Sequence, residues 1–395
     1  MKLLFNINIK FLKIILFPLT IIFLMPKETN TLKRLKSKSM EKILLKSEIE
    51  FKGITFVGDK YCPFVNYSDP LALKSLEKLS ETGANWVAIV VTEYQDYTNS
   101  TEIYPLYDNY IKNDYFIYKT ETLSGLENLI EKAKTLNLKV MLKPHIDLSR
   151  EKRYNETWRG NIGEQFTENS QWQKWFESYE KFILKYAQLA EKLKVEMFSV
   201  SCELIATSKM DEFWLDIIRK IRKVYSGLLT DSANHDGEEF NKTWWNELDF
   251  IGVDAYYLPI KNDDLEFSEI NIDQVLNDAV EKLKNLSQKF KKDVIITEVG
   301  FCSGNCKREE KVLLKDHYMQ AYYYERFIRI FSQHTFIKGY FWWAWNSDPN
   351  FGGNEDMCIS PQNKLSEYVL RKYYGGDTTK VDYNSDKRAV CPCTI

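Results

Sequence analysis

The sequence lacks an excess of charge of either sign. Its 54 Lys and Arg residues nearly balance 56 Asp and Glu residues, which leaves a formal net charge of −2. Proteins that hold nucleic acid by its phosphates usually carry a clear basic excess, and so do polybasic proteins of the membrane surface. The charge balance therefore argues against both classes, and we expect no nucleic-acid partner.

Two signatures of cofactor binding are also missing. No Gly-x-Gly-x-x-Gly pattern occurs in the 395 residues, which counts against a dinucleotide-binding, doubly wound sheet. Only four His residues are present, and none lies near Cys302 and Cys306 to complete a metal-ligand set. With seven cysteines, at least one is unpaired if the others all bond; Cys302 could bridge Cys306 or reach Cys358. We expect neither a metal nor an organic cofactor.

Long apolar runs are absent after the first 26 residues. Residues 14–25 form a short apolar run that follows several lysines and is interrupted by Pro18 and Thr20. Its length is typical of a secretory signal peptide rather than a membrane span. No small-x-small cleavage site follows it, so a retained signal anchor is an alternative. Residues 1–26 are thus predicted to be a signal peptide or anchor, and residues 27–50 a basic linker.

Five Asn-x-Ser/Thr patterns agree with an exported protein. They begin at Asn66, Asn99, Asn155, Asn241 and Asn285. Each pattern arises easily by chance in an Asn-rich chain, but such sites are glycosylated in secreted proteins. Together with the leader they predict a glycoprotein that is secreted or resident in the secretory pathway, lysosomes included.

From Phe51 onward, strand-like and helix-like segments alternate. Apolar runs such as Asn85–Glu93 read as strands covered on both faces, and amphipathic segments such as Pro70–Thr82 read as helices. Eight such units predict an α/β fold, a (β/α)8 TIM barrel over residues 51–375 with long βα loops and a tail over 376–395. A doubly wound open sheet is the alternative, although it seldom has eight units.

Two glutamates stand at the predicted carboxyl ends of barrel strands. Glu203 follows the fourth strand, and Glu298 ends the seventh. A carboxylate at the tip of an apolar strand is costly to bury without partners, and strand tips of a barrel meet at one face. Two carboxylates there are what acid-assisted glycoside hydrolysis requires, with a separation of about 5–5.5 Å for a retaining enzyme.

Other strand tips carry polar and aromatic side chains. These are Lys143, His145, Asn234, His235, Asp254, Tyr256, Tyr257 and the segment Trp342–Trp345. Each alone is ordinary, because a buried His is usually a satisfied hydrogen-bonding group and a Trp cluster is usually core. Their coincidence on one face predicts a saccharide site, where aromatic rings stack on sugars and polar groups bind hydroxyls.

Several of these segments resemble glycoside hydrolase family 113. They are Lys143-Pro-His145, Trp158-Arg-Gly160, Glu203, Asp254-Ala-Tyr-Tyr257, Thr297-Glu298-Val-Gly300 and Trp342-Trp-Ala-Trp345. The family consists of retaining β-mannanases of clan A with (β/α)8 barrels, and the resemblance spans roughly residues 51–374. It implies a retaining glycoside hydrolase acting on β-linked, mannose-containing oligo- or polysaccharide by double displacement. Alternatives are another clan A β-glycosidase, an endoglucanase, or a non-catalytic glycan-binding barrel.

The resemblance also implies roles for single residues. Glu203 would be the acid/base and Glu298 the nucleophile, with Tyr256 or Tyr257 hydrogen-bonded to it and Trp343 or Trp345 forming the floor of the subsite. Strand-tip positions and the resemblance together predict a substrate-binding set of Lys143, His145, Trp158, Asn234, Tyr256, Tyr257, Trp343 and Trp345. Many clan A enzymes carry Asn before the acid/base, whereas this chain has Cys202.

Overall fold

The computed structural model describes residues 49–58, 65–107, 111–112, 117–150, 157–257, 269–304 and 316–382. The predicted leader, most of the linker, Asn155 and Cys306 lie outside these ranges, as does the tail beyond residue 382. Within them, no helix combines the length and the apolar character needed to cross a membrane.

Eight parallel strands within the described ranges close into a barrel. They are β1 (Phe51–Val57), β2 (Trp86–Gln95), β5 (Lys139–Leu148), β6 (Met197–Cys202), β7 (Leu228–Asn234), β8 (Ile251–Asp254), β9 (Val294–Val299) and β10 (Ile337–Asn346). Their order around the barrel is β1-β10-β9-β8-β7-β6-β5-β2. A short antiparallel pair, β3 (Ile111–Lys112) and β4 (Ile117–Tyr118), lies outside it. The predicted (β/α)8 fold is confirmed.

Helices alternate with the barrel strands. They are α1 (Pro70–Ser80), α2 (Leu123–Thr135), α3 (Asn169–Lys192), α4 (Asp211–Val224), α5 (Glu238–Asn241), α6 (Glu269–Phe290), α7 (His317–Phe331) and α8 (Leu365–Tyr374). Side chains cap several of them at the first turn, where backbone N–H groups have no helical acceptor. The Asp69 carboxylate accepts from the N–H of Leu71 at 2.8 Å, and Asp316 accepts from that of Met319 at 2.8 Å.

The amino-terminal half of the barrel interior is filled by apolar side chains. One buried cluster consists of Phe51, Trp86, Ala88, Met141, Met197, Ile295 and Phe341. Gly53 makes room for this filling, because a Cβ there would lie 2.3 Å from Cδ1 of Phe341. The barrel is therefore packed at this end, and only its carboxyl end has space for a site.

Strand β5 is longer than predicted. The tip of this strand was predicted at Lys143 and His145, whereas β5 continues to Leu148 and pairs with β2 along its full length. The ladder between β5 and β6 covers only residues 141 and 142. Pro144 has no N–H to donate, and this is tolerated because β5 is paired only with β2 at that position.

Candidate active site

Glu298 lies near the carboxyl end of β9, and its side chain is almost fully buried. Lys143 of β5 donates from Nζ to Glu298 Oε1, and Tyr256 donates its hydroxyl to Oε2 at 2.6 Å. Nε2 of His145 lies 3.8 Å from Oε1. Both oxygens of this carboxylate thus have donors, one of them a cation, which is the environment of an ionised group.

Lys143 is held behind Glu298 by a second carboxylate. Its Nζ lies 3.0 and 3.1 Å from the two oxygens of Asp254, and Thr297 donates to Asp254 Oδ1 at 2.7 Å. Burial alone would lower the pKa of Lys143, but Asp254 and Glu298 offset this and raise it above its ordinary value. Burial raises the pKa of Asp254 to about 6 against the effect of Lys143.

The prediction that Lys143 contacts the substrate needs correction. Its side chain is 0% exposed, and its ammonium group is directed at Asp254 and Glu298. A sugar has no access to it. Lys143 contacts the Glu298 carboxylate, so its influence on a substrate is indirect.

Glu203 directly follows β6 and adopts a left-handed backbone conformation, with φ of 53°. This conformation is uncommon for residues other than glycine, and the N–H of Glu203 is fixed by the carbonyl of Ser232 at 2.8 Å. The Asn234 side chain donates to Glu203 Oε1 at 2.9 Å, and Nη1 of Arg159 lies 3.8 Å from Oε2. Neighbouring strands therefore hold the carboxyl group in one position.

Both carboxyl groups have raised pKa values, for partly different reasons. Burial and then the charge of Glu298 raise the pKa of Glu203. Burial and then the charge of Asp254 raise the pKa of Glu298, while Lys143 and Tyr256 act in the opposite direction. Since Lys143 donates a hydrogen bond to Glu298, whereas the hydrogen-bond donor to Glu203 is a neutral amide, the surroundings of Glu298 favour the anion more strongly.

Arg159 and Cys202 complete the buried cluster, and the sequence interpretation did not include Arg159 among the site residues. Its Nη1 lies 3.3 Å from Sγ of Cys202 and 3.2 Å from Nδ1 of His145. Sγ of Cys202 lies 3.5 Å from Asp254 Oδ2, and burial raises the pKa of this thiol. The sequence feature that could have identified Arg159 is its position in the Trp-Arg-Gly segment, in which only Trp158 was assigned a role.

Cations of the protein already neutralise the donor groups that a metal would use. Among the described residues, donor atoms of His145, Cys202 and Glu298 lie within 4.8 Å of one another, and so do those of Cys202, Glu203 and Asp254. Lys143 and Arg159 contact members of both sets. The positive charge that such carboxylates require is therefore supplied by side chains.

Trp343 lies beside His145, a neighbour of Glu298, whereas Trp345 packs against α1. The Trp343 ring is nearly parallel to that of His145, with centroids 6.0 Å apart, and it packs with Tyr256. Trp345 is 1% exposed, and its Nε1 donates to Ser75 of α1 at 3.0 Å. Of the two tryptophans considered for the subsite floor, the structure brings only Trp343 to the site.

Tyr256 and Tyr257 have different hydrogen-bond partners. Only Tyr256 contacts Glu298, while the Tyr257 hydroxyl lies 3.5 Å from Glu239 Oε1. Burial raises the pKa of Glu239 to about 7. His235 meets the rings of both tyrosines edge-on. The site is thus bordered on this side by an aromatic group at the ends of β7 and β8.

Comparison with solved structures agrees with the barrel fold. Among solved structures, the chain is similar to a GH113 β-1,4-mannanase determined as a complex, with 24% identity, a TM-score of 0.68, and coverage of 84% of this chain and 100% of that one. The GH113 β-mannanase of Alicyclobacillus acidocaldarius gives 24% identity, a TM-score of 0.67, and coverage of 84% and 98%. A β-glucuronidase of Ruminococcus gnavus shares the fold at 13% identity and a TM-score of 0.55, covering 82% of this chain and 50% of that one.

No curated protein matches the chain by sequence. The profile of Glycoside Hydrolase Family 113 does match, over residues 61–356. This range contains β2 to β10 and every residue of the carboxylate cluster. The family implies hydrolysis of an oligo- or polysaccharide, and the chain belongs to Glycoside Hydrolase Family 113.

Proposed function

We propose that the protein is a retaining β-mannanase that cleaves β-linked, mannose-containing oligo- or polysaccharide by double displacement. The observation that carries the proposal is the unequal surroundings of two neighbouring carboxyl groups. Glu298 accepts from Lys143 and Tyr256, whereas Glu203 accepts from the neutral amide of Asn234. One group is thereby suited to attack as an anion and the other to donate a proton.

In the first step, Glu298 attacks the anomeric carbon and the bond to the leaving oxygen breaks. Glu203 donates its proton to that oxygen, so the departing sugar leaves as a neutral alcohol. The raised pKa of Glu203 favours the protonated form that this step requires. Tyr256 holds the attacking carboxylate in place through Oε2.

In the second step, water attacks the anomeric carbon of the glycosyl-enzyme. Glu203, now ionised, takes a proton from the water while the bond to Glu298 breaks and the carboxylate is restored. Asn234 and Arg159 contact Glu203 throughout, and a positive neighbour favours the anionic form that this step requires. Two inversions give net retention of configuration.

Trp343 provides the surface for the attacked sugar. Its ring is next to His145 and Tyr256, both of which contact or approach Glu298. An aromatic face beside polar groups is the usual composition of a sugar subsite. The choice of mannose rests on the family and on neighbours described as β-mannanases.

We expect the enzyme to hydrolyse mannan and manno-oligosaccharides and to release products of retained configuration. Rates on matched manno-, cello- and xylo-oligosaccharides identify the sugar, and NMR of the first-formed anomer identifies the stereochemistry. Faster hydrolysis of a gluco-configured series would contradict the mannanase assignment. Initial formation of the inverted anomer would contradict double displacement.

We further propose that the protein is exported and N-glycosylated. Asn99, Asn241 and Asn285 are exposed and Asn66 is half-buried, so these acceptor sites are at the surface. Treatment of the protein from its native cells with an N-glycosidase should lower its apparent mass. Asn99→Gln, Asn241→Gln and Asn285→Gln should each reduce that shift, and an unchanged mass in every case would count against a secretory route.

A further inference from the structure

Asn234, which donates to Glu203, is itself held by a buried carboxylate. Glu238, the first residue of α5, accepts from the backbone N–H of Asn234 through Oε2 at 2.7 Å. Its other oxygen, Oε1, lies 2.8 Å from Nζ of Lys242. Burial raises the pKa of Glu238 to about 7, against the effect of Lys242. Keeping a carboxylate at this buried position therefore opposes stability, and the contact with Asn234 is a candidate reason for its presence.

The turn after β7 decides which end of the Asn234 amide faces Glu203. The backbone N–H of Asp236 donates to Asn234 Oδ1 at 2.8 Å. A backbone N–H is a donor only, so the atom opposite it must be the amide oxygen. The amide nitrogen is thereby directed to Glu203, and Nδ2 donates to Oε1 of Glu203 at 2.9 Å. Asn234 is thus fixed at its backbone by Glu238 and at its side chain by Asp236.

The same buried cluster joins three elements of the barrel. Lys242 directly follows α5 and contacts Asp231 of β7, and Ser201 of β6 donates to Oδ1 of Asp231. The strand β6 is the one that Glu203 follows. Charge-assisted hydrogen bonds are strong and directional. They therefore hold α5, β7 and β6 in one arrangement next to the acid/base.

Another carboxylate of the chain has the same set of contacts without any link to Glu203. Glu367 of α8 is also buried, and it accepts from the backbone N–H of Asn363, four residues earlier, at 2.7 Å. It pairs with Arg371, four residues later, at 2.8 Å. The amide nitrogen of Asn363 donates to the carbonyl of Phe351 at 2.7 Å. The two clusters differ in what the asparagine side chain reaches, so a comparison of them separates an effect on stability from an effect on catalysis.

We propose that Glu238 is a positioning residue for the acid/base and acts through Asn234; this rests on the proposed function. By fixing the backbone of Asn234, Glu238 keeps the amide nitrogen on Glu203, and the carboxyl group stays where it can pass its proton to the leaving oxygen. Such a transfer requires the two oxygens to be within hydrogen-bond distance. Without Glu238, the loss falls on substrates whose leaving group needs that proton, and not on substrates whose leaving group departs unaided.

The test compares Glu238→Met with Glu238→Gln on two substrates made from the sugar that the wild-type enzyme hydrolyses. Methionine fills a similar volume but has no oxygen for the Asn234 N–H, whereas glutamine keeps one, and Lys242 retains Asp231 in both variants. The readout is the ratio of kcat/KM on the β-linked oligosaccharide to kcat/KM on an aryl glycoside whose phenolate departs unaided. Glu238→Met should lower this ratio by about tenfold or more, since a displacement of about 1 Å can cost about 10²-fold. Glu238→Gln should keep the ratio within about threefold of wild type, because the acceptor remains.

Two controls show whether the effect passes through Asn234. Glu367→Met removes the corresponding carboxylate of α8 and should lower stability while leaving the ratio unchanged. Asn234→Ala should lower the ratio by itself, and adding Glu238→Met to it should change the ratio little, because the amide that Glu238 positions is already gone. Glu238→Ala also lacks the acceptor and carries the same expectation if the methionine variant does not fold.

Several results would overturn the positioning role. They are an unchanged ratio in Glu238→Met, an equal fall in Glu238→Gln, an equal fall in Glu367→Met, and additive losses in the double variant. Glu203→Ala separates these results from the proposed function. A lowered ratio in Glu203→Ala with an unchanged ratio in Glu238→Met would leave the proposed function in place and remove the role of Glu238, whereas an unchanged ratio in Glu203→Ala would remove the proposed acid/base itself.

Discussion

Glu203→Ala should slow the hydrolysis of natural oligosaccharides by about 10²–10⁴-fold, which is the usual contribution of a positioned general acid. The leaving alcohol of a natural substrate departs poorly without a proton. An aryl glycoside, whose phenolate departs unaided, should still form the glycosyl-enzyme with this variant. Stopped-flow measurement should show a burst of phenolate followed by slow turnover, since the base for the second step is missing too.

Azide distinguishes the two carboxyl groups. In Glu203→Ala it should attack the glycosyl-enzyme and give a glycosyl azide of retained configuration. In Glu298→Ala no covalent intermediate forms, and azide should attack the substrate directly to give the inverted product. Glu212→Ala, at an exposed position of α4, should react as the wild type does. Inversion in azide-treated Glu203→Ala would exchange the two roles, and full activity of both variants would place the site elsewhere.

Lys143→Met should shift the acidic limb of the pH–rate profile to higher pH by at least about one unit, and so lower kcat/KM below that limb by about tenfold. The reason is that Lys143 opposes the rise in the pKa of Glu298 that burial and Asp254 cause. Without the ammonium group, Glu298 holds its proton to a higher pH and cannot attack. The basic limb, which reports Glu203 as the acid, should move less.

The same substitution should also destabilise the fold, by about 3–5 kcal/mol, because it leaves buried carboxylates without their cation. The folded-state pKa of Lys143 lies above its ordinary value, so this stability is fully present below the unfolded pKa and is lost only at strongly alkaline pH. Denaturant unfolding at neutral pH measures the loss.

Lys242→Met provides the matched control. Lys242 is also buried, and it contacts Asp231 and Glu238 rather than Glu203 or Glu298. This variant should lose comparable stability and keep the acidic limb of the surviving activity in place. A shift of that limb in Lys242→Met but not in Lys143→Met would contradict the assigned role of Lys143.

The sequence predicted the fold well because the barrel strands are covered on both faces and so are apolar runs between amphipathic helices. The positions of Glu203 and Glu298 at strand ends followed from that alternation. The role of Lys143 could not be predicted in this way, because the sequence pattern around a lysine at a strand tip is the same whether the lysine faces solvent or a buried Asp254. That distinction depends on the pairing of distant strands.

Trp343 and Trp345 show where a periodic pattern fails. The family resemblance made both tryptophans candidates for the floor of the subsite, and residues two apart on a strand normally share a face. The ladder between β1 and β10 changes register, with Ile54 opposite Trp342 and Phe56 opposite Trp345. The extra residue in β10 ends the alternation there, and no feature of the sequence marks the bulge.

The pairing of β1 with β10 has a consequence for how activity arises during folding. Phe51 pairs with Gly339, so this contact of the ring of strands joins the two ends of the barrel domain. Such a long loop is slow to close, since its entropy is lost before the contact is gained. The residues of the proposed site come from the ends of β5 to β10 and are brought together by the closed ring. Recovered enzyme activity after denaturation therefore reports this last closure, whereas a recovered helical signal reports local order that precedes it.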